Sequence, residues 1–190
     1  MSHLILIRHS ISEQRPGVST HEWSLSDEGL ARCEALAMQL QPYRVRSVYS
    51  SYEPKAIQTA QAVVKANNGF DSQIIDGLEE THRSTSPYYK SVGDFQAAVI
   101  AAMHHPDEVV FGEEAFEAAR LRFDQTLHHL MEKNPDETVA AVSHGTVMSL
   151  WLSPFLKRPV EDVWQAMGMP AYAVIEWPTK HVIHFQETVA

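Results

Sequence analysis

The chain of 190 residues contains a single cysteine, Cys33. One cysteine cannot form an internal disulfide, so a disulfide-stabilised secreted scaffold is excluded and a reducing, cytoplasmic location is expected. Cys33 lies at helical spacing with Leu30, Ala37 and Leu40. This stripe predicts that the thiol packs in the core rather than reacts.

Long apolar runs and an excess of positive charge are also missing. The N-terminal apolar run 4–7 ends at Arg8 and is too short for a signal peptide, and no segment approaches the ~20 apolar residues of a membrane span. With 24 acidic against 15 basic residues, the formal net charge is −9. This charge disfavours nucleic acid and membranes as partners, so an anionic substrate requires a local basic cluster.

Several sequence motifs of known chemistry are absent. Neither the GxxxxGK[ST] nor the GxGxxG phosphate loop occurs, and GxSxG and HExxH are missing. A cysteine phosphatase needs an arginine six places after its nucleophile, where this chain has Gln39. Adjacent histidines such as His104 and His105 point apart on a helix, so no zinc site is expected.

Strand and helix signals alternate along the chain, without linkers or repeats, and predict one domain over residues 1–190. Short apolar runs predict strands at 4–7, 45–49, 73–76 and 138–142, and helical spacing predicts helices at 26–40, 54–66, 95–103, 113–133 and after Gly145. Residues 172–177 and 181–185 are typical of a terminal hairpin. The pattern predicts an α/β fold, a three-layer α/β/α sandwich with a mostly parallel central sheet.

Two histidines follow apolar runs at matching positions. His9 comes after the first predicted strand and Arg8, and His144 comes after the strand at 138–142. Open α/β sheets build their sites where strands end, so both imidazoles are expected to face one substrate. Gly145, directly after His144, indicates a sharp turn or a close backbone approach. Either histidine alone is typical of a structural residue, whereas the pair predicts a functional site.

Four motifs follow one another between residues 4 and 152. They are Leu6-Ile7-Arg8-His9-Ser10, Leu25-Ser26-Asp27-Glu28-Gly29, Tyr49-Ser50-Ser51-Tyr52-Glu53-Pro54-Lys55-Ala56-Ile57-Gln58-Thr59-Ala60, and Val142-Ser143-His144-Gly145. Together they resemble the histidine phosphatase superfamily, which has the phosphoglycerate-mutase-like fold. The resemblance implies that His9 attacks phosphorus and is transiently phosphorylated, with no metal or other cofactor.

The resemblance also implies which groups bind the phosphoryl oxygens and which supplies a proton. Arg8, Lys55 and His144 would hold the oxygens, which fits the charge demand of phosphoryl transfer. The proton donor would be the acid of a Leu-x-Glu pattern, which residues 78–80 match at Glu80, with Glu79 as the alternative. A bound phosphate dianion would raise the pKa of this carboxyl and nearby cations would lower it, so the sequence leaves its protonation open.

The chain departs from the family pattern at four places. Ser10 stands where most members have glycine, which either narrows the turn or adds a hydroxyl to the pocket. Lys55 replaces an arginine and keeps the charge without the bidentate fork. Arg15 stands where asparagine is frequent, and Thr81-His82-Arg83-Ser84 replaces a Gly-rich, Trp-containing segment. Arg15, together with Ser12 and Gly145, is an expected substrate contact.

Residues 81–112 are expected to form a lid over the site. The segment is basic and aromatic within an acidic protein, through His82, Arg83, Tyr88, Tyr89 and Lys90. His82 and Arg83 are the expected substrate contacts of the lid, and a small phosphorylated metabolite would suit it.

We therefore predict a metal-independent phosphatase that acts on a small phosphorylated substrate. Mutases of this family usually have a longer chain, so a phosphoglycerate-type mutase is the second choice, and a phosphoprotein phosphatase is favoured only if the lid is open and shallow. Because Ser10, Lys55 and the segment after Glu80 are altered, a non-catalytic phosphoryl-binding protein is the alternative from a different class. The sequence leaves the oligomeric state open.

Overall fold

The computed structural model describes residues 2–66, 71–84, 89 and 91–190, which are built around a six-stranded sheet. The strands are β1 (Ser2–Arg8), β2 (Ser47–Ser50), β3 (Gln73–Ile74), β4 (Thr138–Ser143), β5 (Ala171–Trp177) and β6 (His181–Gln186), in the order β3-β2-β4-β1-β5-β6. The pairs β2–β3, β2–β4 and β1–β4 are parallel, whereas β5 is antiparallel to β1 and β6. The predicted mostly parallel sheet and terminal hairpin are confirmed.

Helices cover both faces of this sheet. They are α1 (Asp27–Leu40), α2 (Pro54–Ala66), α3 (Val92–His104), α4 (Phe116–Lys133), α5 (Gly145–Leu156) and α6 (Val160–Ala166), with short 3₁₀ turns at Thr20–Glu22 and Gln41–Tyr43. Within the described ranges, no helix combines the length and apolarity that crossing a lipid bilayer requires.

Strand β1 shows how the three layers are joined. Ile5 and Ile7 belong to the core cluster formed with α1 and α2, whereas Leu4 and Leu6 belong to the cluster formed with α4, α5 and α6. Successive strand side chains point to opposite faces, and both faces here are covered by helices. The uninterrupted apolar run of β1 is therefore the mark of a buried parallel strand, and the predicted three-layer sandwich is confirmed.

Helix α4 begins at Phe116, later than the predicted start at Glu113. Glu113 and Glu114 therefore precede the helix instead of forming its first turn. Glu114 accepts hydrogen bonds from Arg122 and from the His82 N–H, and Glu113 accepts one from the chain at residue 84. Both side chains bind the backbone of residues 82–84, and the backbone of residues 113 and 114 is not helical.

Cys33 is fully buried on α1, in agreement with its predicted packing role. Its Sγ lies 4.0 Å from the Thr59 hydroxyl oxygen of α2. Leu30, which the helical stripe had placed beside it, is 46% exposed. The buried face of α1 runs instead through Gly29, Cys33, Leu36, Ala37 and Leu40.

Helix α1 is docked against the chain that follows β1. Ser26 caps the start of this helix, because its side chain accepts a hydrogen bond from the Gly29 N–H at 3.1 Å. The Ile11 carbonyl accepts the Ser26 N–H at 2.9 Å, and the Gly29 carbonyl accepts the Ser10 hydroxyl at 2.8 Å. The approach is so close that a Cβ at position 29 would clash with the Ile11 carbonyl oxygen.

Gly29→Ala is expected to lower the free energy of unfolding by about 2–3 kcal/mol, because overlap with backbone forces α1 away from the β1 loop. Urea denaturation measures this loss. The matched control is Gly93→Ala in α3, where the nearest heavy atom to an added Cβ is the Ser91 hydroxyl at 3.5 Å. This second change should be neutral or stabilising by up to about 1 kcal/mol. Equal losses in both variants would contradict the docking described here.

Candidate active site

The carboxyl ends of β1 and β4 bring the two predicted histidines together. Arg8 and Ser143 are paired in the parallel ladder, and the His9 N–H donates to the Ser143 carbonyl at 3.0 Å. The rings of His9 and His144 lie with their centroids 5.1 Å apart at an interplanar angle of 61°. The side chains are buried, with 7% and 1% of the two residues exposed.

The hydrogen bond made by His9 decides which of its ring nitrogens is free. Its Nδ1 lies 2.7 Å from the Ser10 carbonyl oxygen, which can only accept, so Nδ1 carries the proton. The lone pair of Nε2 is then available to attack. Burial, followed by the electrostatic effects of His144, Lys55 and Arg8, holds the pKa of His9 well below its usual value. The ring is therefore a neutral imidazole at neutral pH, with Nε2 available as the nucleophile.

Arg8 lies against Gly145 at the start of α5. A Cβ at position 145 would lie 2.8 Å from the Arg8 guanidinium carbon, so only glycine leaves room for this side chain. The guanidinium also donates to the Met167 carbonyl. Burial lowers the pKa of Arg8 to about 10, against the opposing effect of Glu80. Arg8 therefore remains a cation at the strand end.

Lys55 lies at the start of α2, with only 5% of the residue exposed. Its ammonium donates to the Thr20 carbonyl at 2.6 Å and lies 2.6 Å from a carboxylate oxygen of Glu53. These contacts tie the loop at Thr20–Glu22 to α2. The charge of Lys55 acts on both histidines and lowers the pKa of each.

Glu53 is a site residue that sequence reasoning missed. Its carboxylate lies 3.3 Å from His144 Nε2, 3.3 Å from His21 Nδ1 and 2.6 Å from the Lys55 ammonium, and only 1% of the residue is exposed. Burial alone would raise its pKa, but His144, His21 and Lys55 outweigh burial and lower it. The available signal was a carboxylate two places before Lys55, but nothing in the sequence revealed its burial.

The Glu53 carboxylate also influences which ring nitrogen of His144 carries the proton. The Ser51 hydroxyl lies 2.7 Å from Nε2 of His144 and can donate or accept, whereas the Glu53 carboxylate 3.3 Å away can only accept and therefore favours a proton on Nε2. Burial lowers the pKa of His144 to about 4, with Glu53 acting in the opposite direction. His144 is therefore neutral at pH 7, and Glu53 favours its Nε2 tautomer.

Glu80 and Glu79 point in different directions. The Glu80 carboxylate accepts the backbone N–H groups of Thr81, Thr146 and Val147, each at 3.0 Å, and so caps the start of α5 beside His144. Burial opposes its ionisation, but the charge of Arg83 and then His144, with these N–H groups, lowers its pKa. Glu79 faces away, with one oxygen on the Gly77 N–H at 2.6 Å and the other 3.0 Å from Arg122.

Arg122 of α4 was also missed, although it positions the segment that carries Glu80. Its guanidinium donates to the carbonyls of Gly77, Glu79 and Glu80 at 3.1–3.3 Å and makes two hydrogen bonds to the Glu114 carboxylate. A planar fork can satisfy several acceptors at once, which suits arginine at this position. The sequence presents Arg122 only as one polar residue of an amphipathic helix.

Arg83 approaches the site from the segment after Glu80. Its guanidinium carbon lies 5.1 Å from the centre of the Phe95 ring and 5.9 Å from that of Phe111, which are cation–π distances. Its charge lowers the pKa values of Glu80 and His144. Two aromatic side chains of the expected lid therefore hold a cation near the histidine pair.

His82 does not join this cluster. Its ring nitrogen lies 3.5 Å from the Glu79 carboxylate, and about half of its side chain is exposed. Tyr89 packs on the aromatic rings that hold Arg83. Tyr88 and Lys90, also expected in the lid, lie outside the described residues.

The remaining predicted contacts lie on the loop after β1. The Ser10 hydroxyl is turned to α1, so it serves packing rather than the pocket. Ser12 forms an isolated β-bridge with Leu25. Arg15 is exposed, with its guanidinium 2.9 Å from the Glu13 carboxylate. The structure does not bring Arg15 to the histidines.

The assembled groups define the chemistry that this site can perform. A buried histidine with a free nitrogen lies near the cations Lys55 and Arg8, which suits attack on an anionic group. In the described part of the chain, no group of three or more His, Cys, Asp or Glu residues is arranged to hold a metal ion. Fold and site together define an α/β protein that handles anionic groups through histidine.

Sequence comparison identifies the family to which this site belongs. The model of the histidine phosphatase superfamily, branch 1, matches residues 4–182, so the chain is a member of that superfamily. The resemblance seen in the four motifs is thereby confirmed. Among curated proteins, no sequence matches significantly.

Solved structures share the fold at low sequence identity. Phosphoserine phosphatase from Entamoeba histolytica, in a mutant form bound to phosphoserine, has a TM-score of 0.75 and 20% identity, covering 98% of this chain and 97% of that chain. Bacillus stearothermophilus YhfR has a TM-score of 0.76 and 20% identity over 97% and 95%. Mycobacterial glucosyl-3-phosphoglycerate phosphatase has a TM-score of 0.75 and 20% identity over 99% and 98%. The phosphoglycerate-mutase-like fold is therefore confirmed.

Stability is expected to fall as the pH is lowered from 7 to 5, because the unfolded chain binds a proton at His144 near pH 6.5 and the folded chain only near pH 4. The part of the free energy of unfolding that depends on His144 is fully present above pH 6.5. About 2 kcal/mol of it is lost by pH 5. Urea denaturation at both pH values measures this loss. Between pH 7 and pH 5, His144→Gln should lose less free energy of unfolding than the wild type, by the same amount. His105→Gln, at an exposed position, should behave like the wild type. If the free energy of unfolding falls equally with pH in all three proteins, the lowered pKa of His144 does not contribute to stability and the prediction is wrong.

Proposed function

We propose that the protein is a phosphatase that hydrolyses a small phosphorylated metabolite through a phosphohistidine intermediate on His9. The observation that carries this proposal is the buried imidazole with Nδ1 bonded to the Ser10 carbonyl and Nε2 free among cations. Membership of the histidine phosphatase superfamily supports it. Structural relatives named as acting on phosphoserine and glucosyl-3-phosphoglycerate favour a small substrate.

The proposed reaction has two steps. In the first, Nε2 of His9 attacks phosphorus, the P–O ester bond breaks, and the leaving oxygen takes a proton from Glu80. Arg8, Lys55 and His144 stabilise the negative charge on the phosphoryl oxygens. In the second, water attacks the phosphohistidine, the Glu80 carboxylate accepts the water proton, and inorganic phosphate leaves with His9 restored.

The acid role of Glu80 depends on substrate. In the free protein the carboxyl has a lowered pKa, because cations and backbone N–H groups outweigh its burial. A phosphate dianion bound between Arg8 and His144 neutralises that positive charge and raises the pKa again. Glu80 is therefore the proposed donor, and Glu79 is not, since its carboxylate is taken by Arg122.

Residues 1–190 are proposed to act as one domain, with residues 81–112 as its lid. Helix α3 lies inside this segment, and the rings of Phe95 and Phe111 support Arg83, whose charge acts on Glu80 and His144. Such a basic and aromatic cover suits a small anionic metabolite better than a phosphoprotein surface. Of the proposed substrate contacts, Arg83 and Gly145 have the strongest support, ahead of Ser12, Arg15 and His82. The single buried cysteine favours the cytoplasm as the place of action.

His9→Ala is expected to reduce phosphate release at least about 1,000-fold, because the variant has no nucleophile. Release is measured with an aryl phosphate and a panel of phosphorylated metabolites in the presence of a chelator, with the exposed variant His105→Ala as control. Isomerisation of a phosphoglycerate without net release would indicate a mutase instead. Release from phosphopeptides alone would indicate a phosphoprotein phosphatase. No turnover of any compound would indicate a phosphoryl-binding protein.

Glu80→Gln is expected to slow hydrolysis of an alkyl phosphate about 100-fold or more and of p-nitrophenyl phosphate far less, because nitrophenolate leaves without a proton. The ratio of kcat/KM for the two substrates is the measurement. Glu79→Gln is the matched control and should leave this ratio unchanged, whatever its effect on stability. The assignment of Glu80 fails if the alkyl and aryl substrates are slowed equally.

A further inference from the structure

Glu53 places an anion inside a site that has to bind an anion. Its carboxylate contacts the two groups proposed to hold phosphoryl oxygens, Lys55 at 2.6 Å and His144 at 3.3 Å. The same carboxylate contacts His21 of the loop at Thr20–Glu22 at 3.3 Å. Neither the attack by His9 nor the proton transfer by Glu80 uses this group.

The contacts of Glu53 draw on the same donors that a phosphoryl group needs. The Lys55 ammonium donates one hydrogen bond to the Thr20 carbonyl, and the Glu53 carboxylate lies 2.6 Å from the same nitrogen as its ion-pair partner. On His144, Nε2 contacts both Ser51 and Glu53. A substrate oxygen therefore competes with the Glu53 carboxylate for the Lys55 ammonium and for Nε2 of His144.

Charge acts in the same direction as geometry. Like charges a few ångströms apart repel much more strongly in a buried site than in water, because the effective dielectric constant is lower. Glu53 is buried, and it is held ionised by its three basic neighbours. A phosphate dianion at Lys55 and His144 is consequently bound less tightly than the cations alone would bind it.

We propose that Glu53 is a positioning residue that sets the phosphate affinity of this site. The carboxylate orients Lys55 and the His144 tautomer, and its negative charge offsets that of the Lys55 ammonium, so that inorganic phosphate leaves readily after each turnover. This inference rests on the proposed phosphatase function. It adds a residue whose effect is on product release rather than on the chemical step.

The test is direct binding of inorganic phosphate, measured by isothermal titration calorimetry at pH 7 without turnover. Glu53→Gln, which keeps the shape and loses the charge, is expected to lower the Kd of phosphate about tenfold or more. Glu53→Asp keeps the charge and should stay within about threefold of the wild type. Glu28→Gln removes the same unit of negative charge at an exposed position on α1, and it should leave the Kd unchanged.

Steady-state kinetics supply a second readout that a purely structural role would not produce. Slower release of tightly held phosphate should lower both kcat and KM of Glu53→Gln and strengthen product inhibition by phosphate. Thermal unfolding checks that each variant is folded. If Glu53→Gln does not fold, Glu53→Met is used in its place.

Unchanged or weaker phosphate binding by the neutral variants would overturn the inference, and so would an equal gain in Glu53→Asp. Absence of phosphate binding in the wild type and in every variant would overturn it as well. Tighter binding by Glu53→Gln in a protein that hydrolyses no phosphoester would support the role of Glu53 and reject the proposed function. The two ideas therefore fail separately.

Discussion

Parallel pairing of β1 with β4 is the interaction on which the rest of the site depends. Two neighbouring strands that run in the same direction end at the same edge of the sheet, so residues far apart in sequence emerge side by side. The His9 N–H bonded to the Ser143 carbonyl extends the ladder by one step and sets the offset between the histidines. Arg8 can then lie on Gly145, and the start of α5 is placed where Glu80 reaches it.

The burial of so many charges around this edge explains the rest of the arrangement. Buried ions are tolerated only when they are paired or hydrogen-bonded, and Glu53 and Arg122 have such partners. Glu53 joins Lys55, His144 and His21, whereas Arg122 joins Glu79, Glu114 and three backbone carbonyls. The same ion pairs act on the protonation of Glu53 and His144, so the stability of the fold is coupled to the pKa values of buried groups at the site.

Neighbouring residues with the same chemistry have different roles because the backbone turns between them. Glu79 and Glu80 are both buried glutamates, yet one pairs with Arg122 and the other caps α5. Arg83 lies against aromatic rings near the histidines, while its neighbour His82 faces outward. A motif can indicate that an acid or a cation lies in this segment, but the direction of each side chain depends on contacts made with α4 and α5.

The sequence by itself determined the elements and the family. Apolar periodicity, the Ser26 cap and the turn residues act within a few positions of each other, so the helices, the strands, the terminal hairpin and the pairing of His9 with His144 at a sheet edge could be read from the chain. Only the tertiary structure decided where α4 begins, which ring nitrogen of His9 is free, and that Glu53 and Arg122 belong to the site. These features depend on burial and on contacts between distant segments. Apolar periodicity predicts which apolar side chains are buried, but no sequence pattern predicts which charged side chains are.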